Sequence, residues 1–427
     1  MGSVARGTLI NLVTRVLGIG LGLTIVLVTA RLGPVDQGAF SLFTAVESTL
    51  LMLGSGFGVV LARRVSHHGE RPTTLVGAVL VLCAGLGLAG AAVMLIIAAS
   101  GKAQLDFLWV LAWALPLMFI TPSLSGLWLG SSRMGALACI NLAAPILTIA
   151  GMGLALVLQG RVGLADVLWS WVAARVLVAT ATAFAAWRQG WIARPAFAAL
   201  RDEVRFVAVI GLTNVIGLLN YKTDLFLVEH FLGRASTGVY SVAVMAAELL
   251  WLVSSSVTQA AYGRIGTPDS ADASRVTVRA IHASLLALLL LAPLLWLVAT
   301  SLLPRLLGPE YAAALPVLGC LLPGVLAYGA ASALSVYFTN HAGRPLIPAA
   351  LAGFSLAVNI VLSVLLIPRM GMLGGAVATT VSYLTSIAVA VAVFKQSSGT
   401  SLRALALPDW PALRADLRRL VAHPFRA

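Results

Sequence analysis

Charge is what this chain of 427 residues has least of: Asp, Glu, Lys and Arg make up 10% of it, with 15 acids against 28 bases. Soluble domains carry about 25% charged residues, so an ordinary soluble protein is excluded. Cysteine is almost absent as well. Cys83, Cys139 and Cys320 stand far apart inside apolar runs, with neither metal-ligand spacing nor a disulfide framework. No GxSxG, HExxH or phosphate-loop motif occurs, and GSGFG at 54–58 lacks the Lys and Ser/Thr that a phosphate loop needs. Long polar stretches are missing too, which leaves no room for the external domain of a membrane glycosyltransferase or ligase.

What remains is apolar. Hydrophobic residues are 60% of the chain, the mean hydropathy is +0.98, and apolar runs follow one another from Thr8 to Phe394. A helix crosses about 30 Å of hydrocarbon in about 20 residues. Cutting the runs at charged and Gly/Pro-rich clusters predicts twelve spans: 8–30, 38–62, 73–99, 106–130, 136–159, 163–187, 205–229, 236–263, 277–303, 313–340, 345–367 and 371–394. The first is longer than the apolar core of a signal peptide. The expected fold is all-α and integral to the membrane.

Sorting the bases by side gives 19 Lys and Arg on one side, 6 on the other and 3 within spans. Positive residues are retained in the cytoplasm, so both termini are expected there. The net charge of +13 therefore reflects topology, and nucleic acid is not an expected partner. Two basic segments have an apolar stripe suited to the membrane surface: 191–204, with Phe197, Leu200 and Val204, and the tail, with Leu413, Leu417, Leu420 and Val421.

The chain repeats itself at an offset of 200. RLGPVDQGAFSLFTAVESTLLML (31–53) lies against FLGRASTGVYSVAVMAAELLWLV (231–253), with Gly33 and Gly38 facing Gly233 and Gly238, Phe40 facing Tyr240, and Glu47 one place from Glu248. Two six-helix bundles are expected, related by an axis along the membrane normal: 1–190 and 205–395, joined by 191–204 and followed by a basic tail, 396–427. The paired glycines are expected to form the turns between spans one and two and between spans seven and eight. Gly18 with Gly22, and Gly54 with Gly58, have helix-packing spacing. Pro116, Pro122, Pro293, Pro323 and Pro348 are candidate bends.

A charge near the bilayer centre costs about 2.5–3.5 kcal/mol on insertion scales, so each one retained there is a functional candidate. Arg15, Glu47, Arg175, Lys222, Asp224 and Glu248 qualify. Arg15, Lys222 and Arg175 suit an anionic headgroup, with Asn220 sharing the face of Asp224. Asp224, Glu47 and Glu248 suit a coupling ion, H⁺ or Na⁺, or serve to balance the cations. No other cofactor and no catalytic residue is expected.

The segments RLGPVDQGAFSLF (31–43), NYKTDLFLVEHFLGRASTGVYSVA (220–243), LLGPEYAAALPVL (306–318) and NIVLSVLLIPRMGMLGGAVATTVSY (359–383) carry a resemblance. The chain resembles the Wzx-type polysaccharide flippases of the multidrug/oligosaccharidyl-lipid/polysaccharide (MOP) superfamily. That resemblance implies a multidrug-exporter-like (MATE-like) pair of bundles in the bacterial cytoplasmic membrane. It further implies transfer of an undecaprenyl-diphosphate-linked oligosaccharide to the periplasmic leaflet by alternating access, with membrane lipids and polysaccharide polymerase or assembly proteins as partners. The resemblance also leaves room for a lipid II type flippase, usually with more spans, and for a cation-coupled multidrug exporter with the same bundle plan.

Overall fold

The computed structural model describes residues 3–68, 71–99, 107–201, 203–267 and 269–406, and among these every regular element is helical. The helices are α1 (Ser3–Arg31), α2 (Pro34–His68), α3 (Thr73–Ala99), α4 (Leu108–Ala112), α5 (Leu115–Met118), α6 (Ile120–Gly130), α7 (Met134–Gln159), α8 (Leu164–Arg188) and α9 (Phe197–Arg201). There follow α10 (Val204–Leu232), α11 (Arg234–Glu248), α12 (Trp251–Ile265), α13 (Ser270–Leu307), α14 (Ala314–Ala330), α15 (Ser332–Val336), α16 (Leu346–Met370), α17 (Met372–Ser398) and α18 (Leu402–Ala406). The tail stripe at 413–421 lies outside the described residues.

Eleven stretches of the described chain are long and apolar enough to cross a membrane, and the protein is a multi-pass membrane protein. The expected fourth span is not a continuous helix: it is built from α4, α5 and α6. Pro116 sits in the first turn of α5, where it has no N–H to give and would crowd the carbonyl four residues back. The other prolines interrupt less. Pro293 and Pro304 lie inside the unbroken 38-residue α13, and Pro323 inside α14. Pro348 falls in the first turn of α16, where no intrahelical bond is lost. The eighth span breaks at Leu249 and Leu250, just after Glu248, whereas its counterpart α2 runs through Glu47 without a break.

The chain divides into two units, Met1–Leu218 and Leu219–Ala427. In unit 1 the core is set by Phe43, Leu61, Leu111, Leu115 and Leu124, all buried. Here α2 and α6 meet at backbone distance: a Cβ on Gly126 would stand 2.0 Å from the Gly58 carbonyl oxygen, and one on Gly58 2.5 Å from that of Pro122. Gly54 is likewise closed off by the Phe119 ring. Gly18 and Gly22 face no such neighbour; a Cβ on Gly18 would come no closer than 3.9 Å to Leu142, and one on Gly22 would meet nothing within 4 Å. Their spacing on α1 is not a packing motif within unit 1.

Unit 2 buries Tyr240, Tyr311, Tyr337, Phe338 and Phe394. Asp269 caps α13, its side chain accepting from the N–H groups of Ala271 (2.9 Å) and Asp272 (3.4 Å). A π-helical turn at Tyr337–His341 ends the tenth span.

Each unit carries the repeated turn. Gly33 has φ +115° and Gly233 φ +78°, conformations that only glycine adopts without strain. Gly38 and Gly238 do not form the turns; both are buried inside α2 and α11. A hydrogen bond spans each turn at matching positions: Thr29 donates to Gln37 in unit 1, and Thr237 donates to Glu229 at 3.1 Å in unit 2.

Candidate functional site

Asp224 lies on α10 with 4% of its surface exposed. Its Oδ2 accepts from the Tyr240 hydroxyl on α11 at 2.8 Å and from the Thr379 hydroxyl on α17 at 3.3 Å. Its Oδ1 accepts from the Leu225 N–H at 2.9 Å. Thr379 in turn accepts from Asn359 Nδ2 on α16 at 3.0 Å. A buried carboxylate is thus held by neutral donors alone, and among the described residues it has no ion-pair partner. Burying a charge so is costly unless a cation or a proton joins it.

Asn359 Oδ1 is buried and unpartnered among the described residues, as is Ser363 Oγ one turn further along α16. A carboxylate with amide and hydroxyl oxygens is the hard-oxygen chemistry that a small cation takes. A pocket of about 10 Å³, the room of one water, touches Asp224, Glu248, Tyr221, Trp251, Thr379 and Tyr383. No group of three or more His, Cys, Asp and Glu residues suited to a metal ion occurs among the described residues.

Lys222 and Asp224, two apart on α10, take different partners. Lys222 Nζ stands 3.4 Å from Glu248 Oε1, so this glutamate already has its cation. Asn220, also on α10, is buried, and the Tyr383 hydroxyl donates to its backbone carbonyl at 3.5 Å. Around these groups Tyr221 and Tyr328 share a hydroxyl contact of 3.1 Å, with Trp251 edge-on to Tyr221 and Tyr383 tilted against Tyr328.

Unit 1 holds a separate arrangement. Glu47 on α2, 2% exposed, pairs with Arg175 on α8 and accepts from Trp171 Nε1 at 2.8 Å. The Arg175 guanidinium stacks on the Trp171 ring, 3.7 Å from its centroid. Arg175 also borders a cavity of about 250 Å³ shared with Thr121, Pro122, Ser125 and Asn141. Arg15 is exposed on α1 and has no partner among the described residues. The structure therefore joins Glu47 to Arg175 and Lys222 to Glu248, and leaves Arg15 apart.

Tyr240, Thr379 and Trp171 are not visible as site residues from their type alone. Tyr240 had a signal: it is where the repeat replaces Phe40 by a residue with a hydroxyl. Asn359 had one too, as a lone amide in an apolar span.

The sequence matches the polysaccharide biosynthesis protein family over residues 4–266. The chain belongs to that family. The matched stretch contains Arg15, Glu47, Arg175, Asn220, Lys222, Asp224 and Glu248, while Asn359 and Thr379 lie beyond it. No curated protein matches the sequence. Among solved structures, the fold is similar to an inward-facing multidrug resistance MATE transporter of the MOP superfamily, with TM-score 0.73 and 15% identity over 89% of this chain and 94% of that one. It is equally similar to the lipid II flippase MurJ in an inward closed conformation, with TM-score 0.73 and 14% identity over 94% of this chain and 89% of that one. A MOP superfamily transporter from Pyrococcus furiosus is similar with TM-score 0.63 and 13% identity over 95% and 96%. This member of the polysaccharide biosynthesis family thus has the all-helical fold of MOP transporters.

Proposed function

We propose that the protein is a flippase that carries a polyprenyl-diphosphate-linked oligosaccharide from the cytoplasmic to the periplasmic leaflet for surface polysaccharide assembly. The family match over residues 4–266 carries this reading. A MATE-type exporter is the second reading, because the MATE and MurJ folds are equally similar to this one; the family match favours the flippase.

In this reading the chain changes no covalent bond. Its work is to bind the diphosphate and glycan on one side and release them on the other. Asp224 is the coupling group. What supports it is a buried carboxylate that has no ion-pair partner among the described residues and is linked through Thr379 to Asn359, whose amide oxygen is unpartnered among them. Glu47 and Glu248 each face a side-chain cation, which favours charge balance as their role. Arg15, exposed and without a partner among the described residues, and Lys222, whose pair with Glu248 is long, are the cations offered to the diphosphate. Arg175 and Asn220 are offered to the glycan, Arg175 beside a 250 Å³ cavity with hydroxyl and amide walls.

The experiment is deletion of the gene with assay of both glycan pools. Lipid-linked oligosaccharide should accumulate on the cytoplasmic leaflet while surface polymer is lost. Unchanged glycans with raised drug sensitivity would instead support the exporter.

A further inference from the structure

The segment joining α8 to α10 has two unlike sides. Its inner side is fixed to unit 1 by the backbone: Ala193 N–H donates to Thr73 O and Ala196 N–H to Thr74 O, both at 3.2 Å. It lies so close to α3 that a Cβ on Gly77 would stand 2.3 Å from the Ala193 carbonyl oxygen. Leu200 is buried beneath it, and Glu203 takes Arg64 through both Nε (3.0 Å) and Nη2 (2.7 Å).

The outer side presents the opposite chemistry. Trp187, Phe197 and Val204 are 63%, 51% and 52% exposed. Arg194, Arg201 and Arg205 are exposed among them, and none is in an ion pair with a described residue. The acids of the segment are Asp202 and Glu203, and Glu203 is turned inward by Arg64. A connection facing only water gains nothing by holding a Trp, a Phe and a Val outward on a backbone that is tied down. The boundary between headgroups and acyl chains takes both kinds of group, the rings into the apolar edge and the guanidinium groups onto phosphate. The segment lies where α8 ends and α3 begins, at the ends of spans and so at the level of the bilayer surface.

We propose that residues 187–201 and 203–205 form a preformed binding surface for anionic phospholipid headgroups, whatever the transporter carries. Because the backbone is fixed before lipid arrives, little ordering cost is left to binding.

The test is native mass spectrometry of the full-length protein in detergent doped with phosphatidylglycerol or phosphatidylcholine. Wild type is expected to retain phosphatidylglycerol in preference. Juxtamembrane arginines contribute about fivefold each, so R194Q/R201Q/R205Q should lose more than tenfold of that retention and R194K/R201K/R205K should keep it. Equal retention of the two lipids, or an unchanged Gln variant, overturns the proposal. Should the Gln variant fail to fold, a nitroxide at F197C in a background with the three native cysteines replaced decides it in phosphatidylglycerol vesicles. A label at headgroup depth supports the surface; one in bulk water, exposed to a polar nickel relaxant as an acidic protein or nucleic acid site would be, overturns it.

Discussion

Tyr240 donates its hydroxyl to Asp224 at 2.8 Å, whereas the residues 200 places earlier are Phe40 and Thr24. The repeat keeps the turn, its glycine and the hydrogen bond across it, and departs from symmetry where a carboxylate would have to be buried. In unit 1 Phe40 packs edge-on against Trp171, with centroids 5.2 Å apart, and Trp171 serves Glu47 instead. The repeat thus carries a paired acid in each unit, Glu47 and Glu248, and unit 2 adds Asp224, a buried carboxylate with no ion-pair partner among the described residues.

Asp224→Asn should leave the protein in the membrane and remove its dependence on the ion gradient, because the amide keeps the shape and loses the charge. Export is expected to fall at least tenfold. Tyr240→Phe removes one donor from a buried carboxylate and should lower stability by about 1–3 kcal/mol, read as thermal unfolding in detergent. Export that still follows the gradient in Asp224→Asn would refute the assignment.

The pair of Glu47 and Arg175 predicts that removing both charges costs less than removing one. Glu47→Leu leaves the guanidinium without its carboxylate and should destabilise unit 1 by about 2 kcal/mol, less than the 3–5 kcal/mol of a fully buried pair because Arg175 keeps some exposure. Glu47→Leu with Arg175→Met removes both charges and should recover most of the loss. Additive losses in a double-mutant cycle would show that the two do not act as a pair.

Close approach of α2 and α6 predicts that Gly126→Ala costs more than 2 kcal/mol, since the new methyl meets backbone at 2.0 Å and backbone cannot swing aside. Gly22→Ala, with open space around it, should be neutral or stabilising by up to about 1 kcal/mol. Thermal shifts of the two purified variants check the contrast.

The spans were legible because hydropathy and charge placement both report on the bilayer, and eleven of the twelve appear among the described residues as helical stretches long and apolar enough to cross it. The fourth was not legible as broken, since Pro116 and Pro122 alone do not say whether a helix continues or stops; Pro293 and Pro323, of the same kind, lie inside unbroken helices. The intramembrane charges could be named from the sequence because each violates the local solvent. Their partners could not, as Glu47 and Arg175 are 128 residues apart and only packing brings them together. Thr379 was hidden for a related reason: a hydroxyl in an apolar helix acquires meaning from the carboxylate beside it.

The most direct test of the central claim is reconstitution of the purified full chain into vesicles with a short lipid-linked oligosaccharide in both leaflets, with an external glycosidase reporting the accessible fraction. Wild type is predicted to expose the protected half of the pool when a Na⁺ or H⁺ gradient is imposed, and Asp224→Asn to leave it protected. A wild-type protein that leaves the pool protected under either gradient, while moving a cationic drug in the same vesicles, would contradict the account.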